Sequence, residues 1–93
     1  MDRCLCIKGR VQGVGFRYWV VLRAYAIGGL SGYACNFDNG DVVVLMSGPE
    51  EKMDKLEALL HRGPLFSRVD SVTSTPEYIS LFPPIKQGVF QRI

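Results

Sequence analysis

The chain has 93 residues, 47% of them apolar, and a formal net charge of +2. That length leaves no room for a linker and a second module, so residues 1–93 read as one domain with enough apolar content for a single core. The small charge excludes a dedicated nucleic-acid surface without repelling a small anion, and no apolar run approaches the ~20 residues that span a membrane. Three cysteines at no disulfide-framework spacing, and no secretory leader before the first strand, point to a reducing, cytoplasmic setting.

Along the chain, Arg3 to Val11 reads as a strand with a buried stretch at Cys4-Leu5-Cys6-Ile7. Cys4 and Cys6 share one strand face and read as small buried thiols rather than metal ligands. Phe16 to Ile27 reads as a helix, ended by Gly28-Gly29. Its core face is Phe16, Val20, Ala24 and Ile27. Tyr18, Val21, Leu22 and Tyr25 lie opposite, where polar residues are expected. Two readings stay open: the patch marks weak self-association of a monomeric chain or a partner surface, or its side chains are partly covered by the segment 76–88 or simply tolerated.

Leu30 to Cys35 is short and extended, and Asp38-Asn39-Gly40 is a turn cluster whose Asn-Gly step favours a tight hairpin. Asp41 to Ser47 is strongly β-prone through Val42-Val43-Val44-Leu45-Met46. The second helix has Pro49, Glu50 and Glu51 at its start and an apolar stripe of Met53, Leu56, Leu59 and Leu60. His61 and Arg62 stand in its last turn, and Gly63 and Pro64 stop it. Arg68 to Thr75 is a strand, 76–88 a loop containing Pro83-Pro84, and Val89 to Ile93 a short closing strand. The order β-α-β-β-α-β predicts an α+β, ferredoxin-like sandwich: an antiparallel sheet with both helices on one face and a short terminal strand.

The run Gly9-Arg10-Val11-Gln12-Gly13-Val14-Gly15-Phe16-Arg17 joins the first strand to the first helix. Glycines on such a turn let successive N–H groups point into one concavity. The helix N-terminus adds partial positive charge and Arg17 a full one, giving an anion cradle. It lacks the Gly-Lys-Ser/Thr ending of an ATP-type phosphate loop, so neither a lysine nor a magnesium-holding hydroxyl is present. The only histidine, His61, sits at a helix end, and no metal-ligand set is apparent.

Extended to Ile7-Lys8, this run resembles the signature of the acylphosphatase family. A second stretch, Gly32-Tyr33-Ala34-Cys35-Asn36-Phe37-Asp38-Asn39-Gly40-Asp41-Val42 with Gly48 beyond, resembles the same family, as does Gly63 to Val72. The resemblance weakens after Thr75. It implies hydrolysis of a small acyl phosphate to a carboxylate and inorganic phosphate, without metal or cofactor and without a phospho-enzyme. By carry-over, Arg17 and the amides of Gln12, Gly13, Val14, Gly15 and Phe16 hold the phosphate. Asn36 positions the attacking water.

The residues suit that chemistry on their own. Phosphoryl transfer asks mainly for positioning and charge stabilisation, which N–H donors and a guanidinium supply. An arginine fork binds two phosphate oxygens at once. The leaving carboxylate has a conjugate acid of pKa roughly 4, so it departs unprotonated and the motif needs no general acid.

Departures from the family pattern are Cys35, where a basic or polar residue is usual, and the spacing of Arg17 and Asn36. They stand 19 positions apart, one more than expected, with the extra residue accommodated at Gly28 or Gly29. The thiol of Cys35 adjoins Asn36 in sequence, so its oxidation is a candidate for inhibition. No specificity pocket is evident, so only the acyl-phosphate group is expected to be read.

An RNA-recognition domain shares the element order but stacks bases on strand aromatics, which the first and third strands here lack. The remaining alternative is a non-catalytic, small-anion-binding or regulatory module of the same fold, as found at the start of much longer carbamoyl-handling maturation proteins. A chain of this length is expected to be the enzyme.

Overall fold

The computed structural model describes residues 2–93. Strand β1 (Asp2–Arg10), helix α1 (Phe16–Ile27), β2 (Ser31–Asn36), β3 (Val42–Ser47), α2 (Glu50–Leu60), β4 (Arg68–Ser74) and β5 (Phe90–Arg92) follow the expected order. The sheet order is β4-β1-β3-β2-β5. The first four strands pair antiparallel. This is the ferredoxin-like arrangement, and β5 makes the sheet mixed because it runs parallel to β2, Gly32 opposite Phe90 and Ala34 opposite Arg92.

Both helices pack on one face. Phe16, Val20 and Ala24 of α1 and Met53, Leu56 and Leu60 of α2 meet Leu5, Ile7, Ala34, Val42, Val44 and Met46 of the sheet. Each such fully buried large side chain contributes about 1.5–3 kcal/mol. Leu59 is only half-buried, and His61 and Arg62 fall just beyond α2 rather than in its last turn.

The other sheet face is covered too. Pro76–Leu81 forms a 3₁₀ helix. Its Tyr78 and Ile79, with Phe82 and Ile85, lie over Cys4, Cys6, Tyr33, Val43 and Leu45. Phe82 stacks on Tyr33 with ring centroids 5.9 Å apart, and the Tyr33 hydroxyl donates to the Pro84 carbonyl at 2.7 Å. The segment 76–88 therefore shields the face opposite α1, not α1 itself. Burial on both sides explains why β3 is apolar without alternation. It also occupies the face on which an RNA-recognition domain stacks bases.

On α1, Val21 packs against the core, so it leaves the proposed self-association patch. Tyr18, Leu22 and Tyr25 are about half-exposed. Two of them serve β5: the Tyr25 hydroxyl accepts the Phe90 N–H at 3.0 Å, and the Arg92 guanidinium lies 5.4 Å over the Tyr18 ring.

The β2–β3 connection is wider than the tight hairpin expected at Asn39-Gly40. The Asn39 side-chain oxygen accepts the Asp41 N–H at 3.0 Å, an Asx-type turn that holds Asn39 without a positive φ. The left-handed residue is Gly40 instead, at φ 98°.

Candidate active site

The loop from β1 to α1 carries Gly13 and Gly15 at φ 75° and 76°, and no non-glycine residue has positive φ among the described residues. Left-handed glycines on either side of Val14 turn neighbouring amides toward a common concavity. Gly15 is also the N-cap of α1. No side chain caps that helix and no acidic residue occupies its first turn, so its leading N–H groups keep their donor capacity. Val14 and Phe16 lean the other way, into the core, and the Phe16 ring meets Trp19 edge-on at 5.6 Å.

A concavity of about 220 Å³ opens beside this loop, lined by Val11, Gly13, Gly15, Phe16, Arg17, Tyr18, Asn36 and Arg92. Of the sequence-predicted residues, Gly13, Gly15, Phe16, Arg17 and Asn36 thus meet in one place. Gln12 and Val14 do not line it. The Gln12 side chain instead donates from one nitrogen to the carbonyls of Phe37 at 2.6 Å and Asp41 at 2.8 Å. It ties the cradle loop to the β2–β3 connection.

Arg17, half-buried, donates to the main-chain oxygen of Ile93 at 2.8 Å, which aims its guanidinium. Asn36 is the last residue of β2. Its side-chain amide makes no hydrogen bond to another described residue, so it is free to hold water. Sheet register explains how Arg92 reaches the same place. Phe90 and Ala34 face the helices, and Arg92 and Asn36, each two residues further along, face the same way. Cys35 takes the opposite side in this alternation and does not line the concavity. Burial raises its thiol pKa, partly offset by the Arg17 charge.

Among the described residues no carboxylate side chain lines the concavity, while two guanidiniums do, so its field favours anions. The carboxylate nearest the Gln12 tether is spent elsewhere. Buried Asp41 accepts from Lys8 at 2.6 Å, from the Cys6 thiol at 3.2 Å and from Asn39 at 3.1 Å. The Lys8 ammonium holds the Asp41 carboxyl below its ordinary value, and Lys8 is raised in turn. Burial first, and then the Asp41 hydrogen bond, push the Cys6 thiol up to about 11.

Sequence reasoning missed Arg92, Tyr18 and the Gln12 side chain. The first two lay in a closing segment that matched its pattern loosely and on a helix face read as surface. The third depends on the distance between two loops, which no local pattern carries.

The acylphosphatase family model matches residues 4–80. An acylphosphatase of Vibrio parahaemolyticus is 49% identical over 67 residues, 72% of this chain and 73% of that one. A crystal structure of acylphosphatase from Bacillus subtilis superposes with a TM-score of 0.79 at 32% identity, covering 99% of this chain and 97% of that chain. T. kodakarensis HypF also superposes, at TM-score 0.79 and 25% identity, with the whole chain matching 12% of that much longer protein. With the family model spanning most of its length and a full-length structural match to an acylphosphatase, this chain belongs to the acylphosphatase family of hydrolases.

Proposed function

We propose that Arg17 and the amides of the 12–16 loop hold the phosphoryl group of a small acyl phosphate, and that Asn36 positions the water that attacks it. The observation carrying this reading is the convergence of a guanidinium, left-handed glycine turns at an uncapped helix start, and an unpartnered amide side chain on one concavity. The water oxygen forms a bond to phosphorus as the bond from phosphorus to the acyl oxygen breaks. The electron pair leaves on the carboxylate, and the water's proton passes to the product phosphate or to solvent. Because that carboxylate is a weak base, no general acid is needed. Charge neutralisation comes from Arg17 and backbone dipoles, so the reaction is expected to run without metal or cofactor.

The finer expectations follow from the same residues. Residues 1–93 act as one domain, since both hydrophobic clusters share a single sheet. The protein works as a monomer, because Val21 of the α1 patch packs against the core and Tyr18 and Tyr25 are engaged with β5. Its three free thiols suit the cytoplasm. Among the described residues no helix is long and apolar enough to cross a membrane.

The test is phosphate release from benzoyl phosphate with EDTA present, by the wild type and by Arg17→Ala and Asn36→Ala. Arg17→Ala is expected to weaken competitive inhibition by inorganic phosphate and reduce turnover at least a hundredfold. Asn36→Ala is expected to lose turnover while keeping phosphate binding. Phosphate binding without wild-type turnover would identify a non-catalytic anion-binding module instead.

A further inference from the structure

We propose that Arg92, beside the phosphate cradle, reads the acyl part of the substrate and favours acyl phosphates whose acyl group carries a second negative charge. This rests on the hydrolytic reading above, in which Arg17 and the loop amides hold the phosphoryl group and the acyl arm hangs outward. Arg92 shares the concavity with Arg17 and Asn36, and the parallel pairing of β5 with β2 puts it there. The two arginines differ in commitment. Arg17 is engaged by the Ile93 main-chain oxygen. The Arg92 side chain forms no ion pair or hydrogen bond among the described residues and rests over the Tyr18 ring. A guanidinium held over an aromatic face is fixed in place while its peripheral N–H donors stay available to a carboxylate.

The surrounding carboxylates set a direction. Among the described residues no carboxylate side chain lines the concavity. Asp38 is exposed in the β2–β3 connection and borders a second depression with Asn36, Phe37 and Asn39, which Arg92 does not line. An anionic arm is repelled from the Asp38 side and attracted to the Arg92 side, whereas a neutral arm has no such preference. Where a contact to an arm remote from the reacting phosphorus is equally strong in ground and transition states it changes KM and leaves kcat alone, and that is the expectation for Arg92.

The experiment compares benzoyl phosphate with derivatives bearing a ring carboxylate, in meta or para position, and with their uncharged methyl esters. The proteins are the wild type, Arg92→Gln, Arg92→Lys and Asp38→Asn. The expected result is a fall of about fivefold in the carboxylate-to-ester ratio of kcat/KM on Arg92→Gln, the upper range for a solvent-exposed charge pair. It appears in KM, shrinks in 0.5 M salt on the order expected for screened charges, and is partly restored by Arg92→Lys. A structural role alone lowers carboxylate and ester together and leaves the ratio unchanged, which overturns the proposal. So does a ratio that moves on Asp38→Asn but not on Arg92→Gln. Wild-type turnover of plain benzoyl phosphate reports on the hydrolytic reading separately; its absence removes that reading and this one with it.

Discussion

Replacing Gln12 tests whether the cradle and the water-positioning strand must be held to each other. The Gln12 side chain supplies both hydrogen bonds joining the β1–α1 loop to the β2–β3 connection, at 2.6 and 2.8 Å. Both acceptor carbonyls have another donor: Phe37 O accepts from the Gly40 N–H at 3.1 Å, and Asp41 O from the Phe37 N–H at 2.8 Å. Gln12→Met, which keeps the length and removes the donor, therefore leaves no orphaned acceptor. The loss is about 0.5–1 kcal/mol per bond, or roughly 1–2 kcal/mol together. For a domain of 93 residues, each kcal/mol corresponds to about 5 °C in Tm, so a fall of about 5–10 °C is expected.

Catalysis is expected to suffer more than stability. Asn36 stands one residue before Phe37, so releasing the tether would let the amide proposed to hold water drift relative to the proposed phosphate site. A displacement approaching 1 Å can cost on the order of a hundredfold, and about tenfold in kcat is expected for a loosened but still paired strand end. The substitution keeps the Gln12 main-chain amide and the glycine turns of the loop, so the inhibition constant of inorganic phosphate should change by less than about threefold. Steady-state kinetics on benzoyl phosphate, phosphate inhibition and thermal unfolding of the same preparation measure all three quantities. A kcat within about twofold of wild type alongside the expected Tm drop would refute the positioning role and leave Gln12 a purely structural strut.

Asp41→Asn removes the charge that Lys8, Cys6 and Asn39 surround, and is expected to destabilise by about 1–2 kcal/mol at neutral pH. Since the folded-state carboxyl is held below its ordinary value, that stabilisation is present above the ordinary carboxylate pKa and disappears as pH falls through the lower folded one. Unfolding midpoints of the two proteins should therefore converge below about pH 4. Gly15→Ala places a side chain in open space, but at φ 76°. The expected loss of about 1–2 kcal/mol is conformational, and phosphate affinity should fall with it as the amides turn away. Cys35→Ser should retain full activity, and the wild-type thiol should alkylate slowly near neutral pH because burial raises its pKa. Inactivation tracking Cys35 modification would contradict the assignment of that side chain to the far sheet face.

The parts of this molecule legible in its sequence are those decided within a few residues. The alternation and turn chemistry around Gly13 and Gly15 belong to a contiguous string. The stripe of Met53, Leu56 and Leu60 repeats at helical spacing. What escaped depends on meetings between distant segments. Pro76, Pro83 and Pro84 lack N–H groups and break any ladder, so 76–88 reads as a loop. Its Tyr78 and Phe82 gain meaning only beside Phe37 and Tyr33. The Asn-Gly step predicted a tight turn, but the bond from the Asp41 amide to the Asn39 side chain prevailed. Asp41 itself looked like the polar start of a strand, and only the fold brings Lys8 and Cys6 to it.

The same division governs the site. The proposed phosphate cradle is written in one string, so it should tolerate changes elsewhere in the sheet. Asn36 and Arg92 reach it by register, one through pairing with β3 and the other through the parallel contact of β5 with β2. A single-residue slip in either pairing would send the side chain to the opposite face, among Cys6, Tyr33 and Val43. Perturbations of sheet register should therefore remove turnover and acyl-group discrimination while sparing phosphate binding. Perturbations of the glycine turns at Gly13 and Gly15, or of Arg17, should remove all three together.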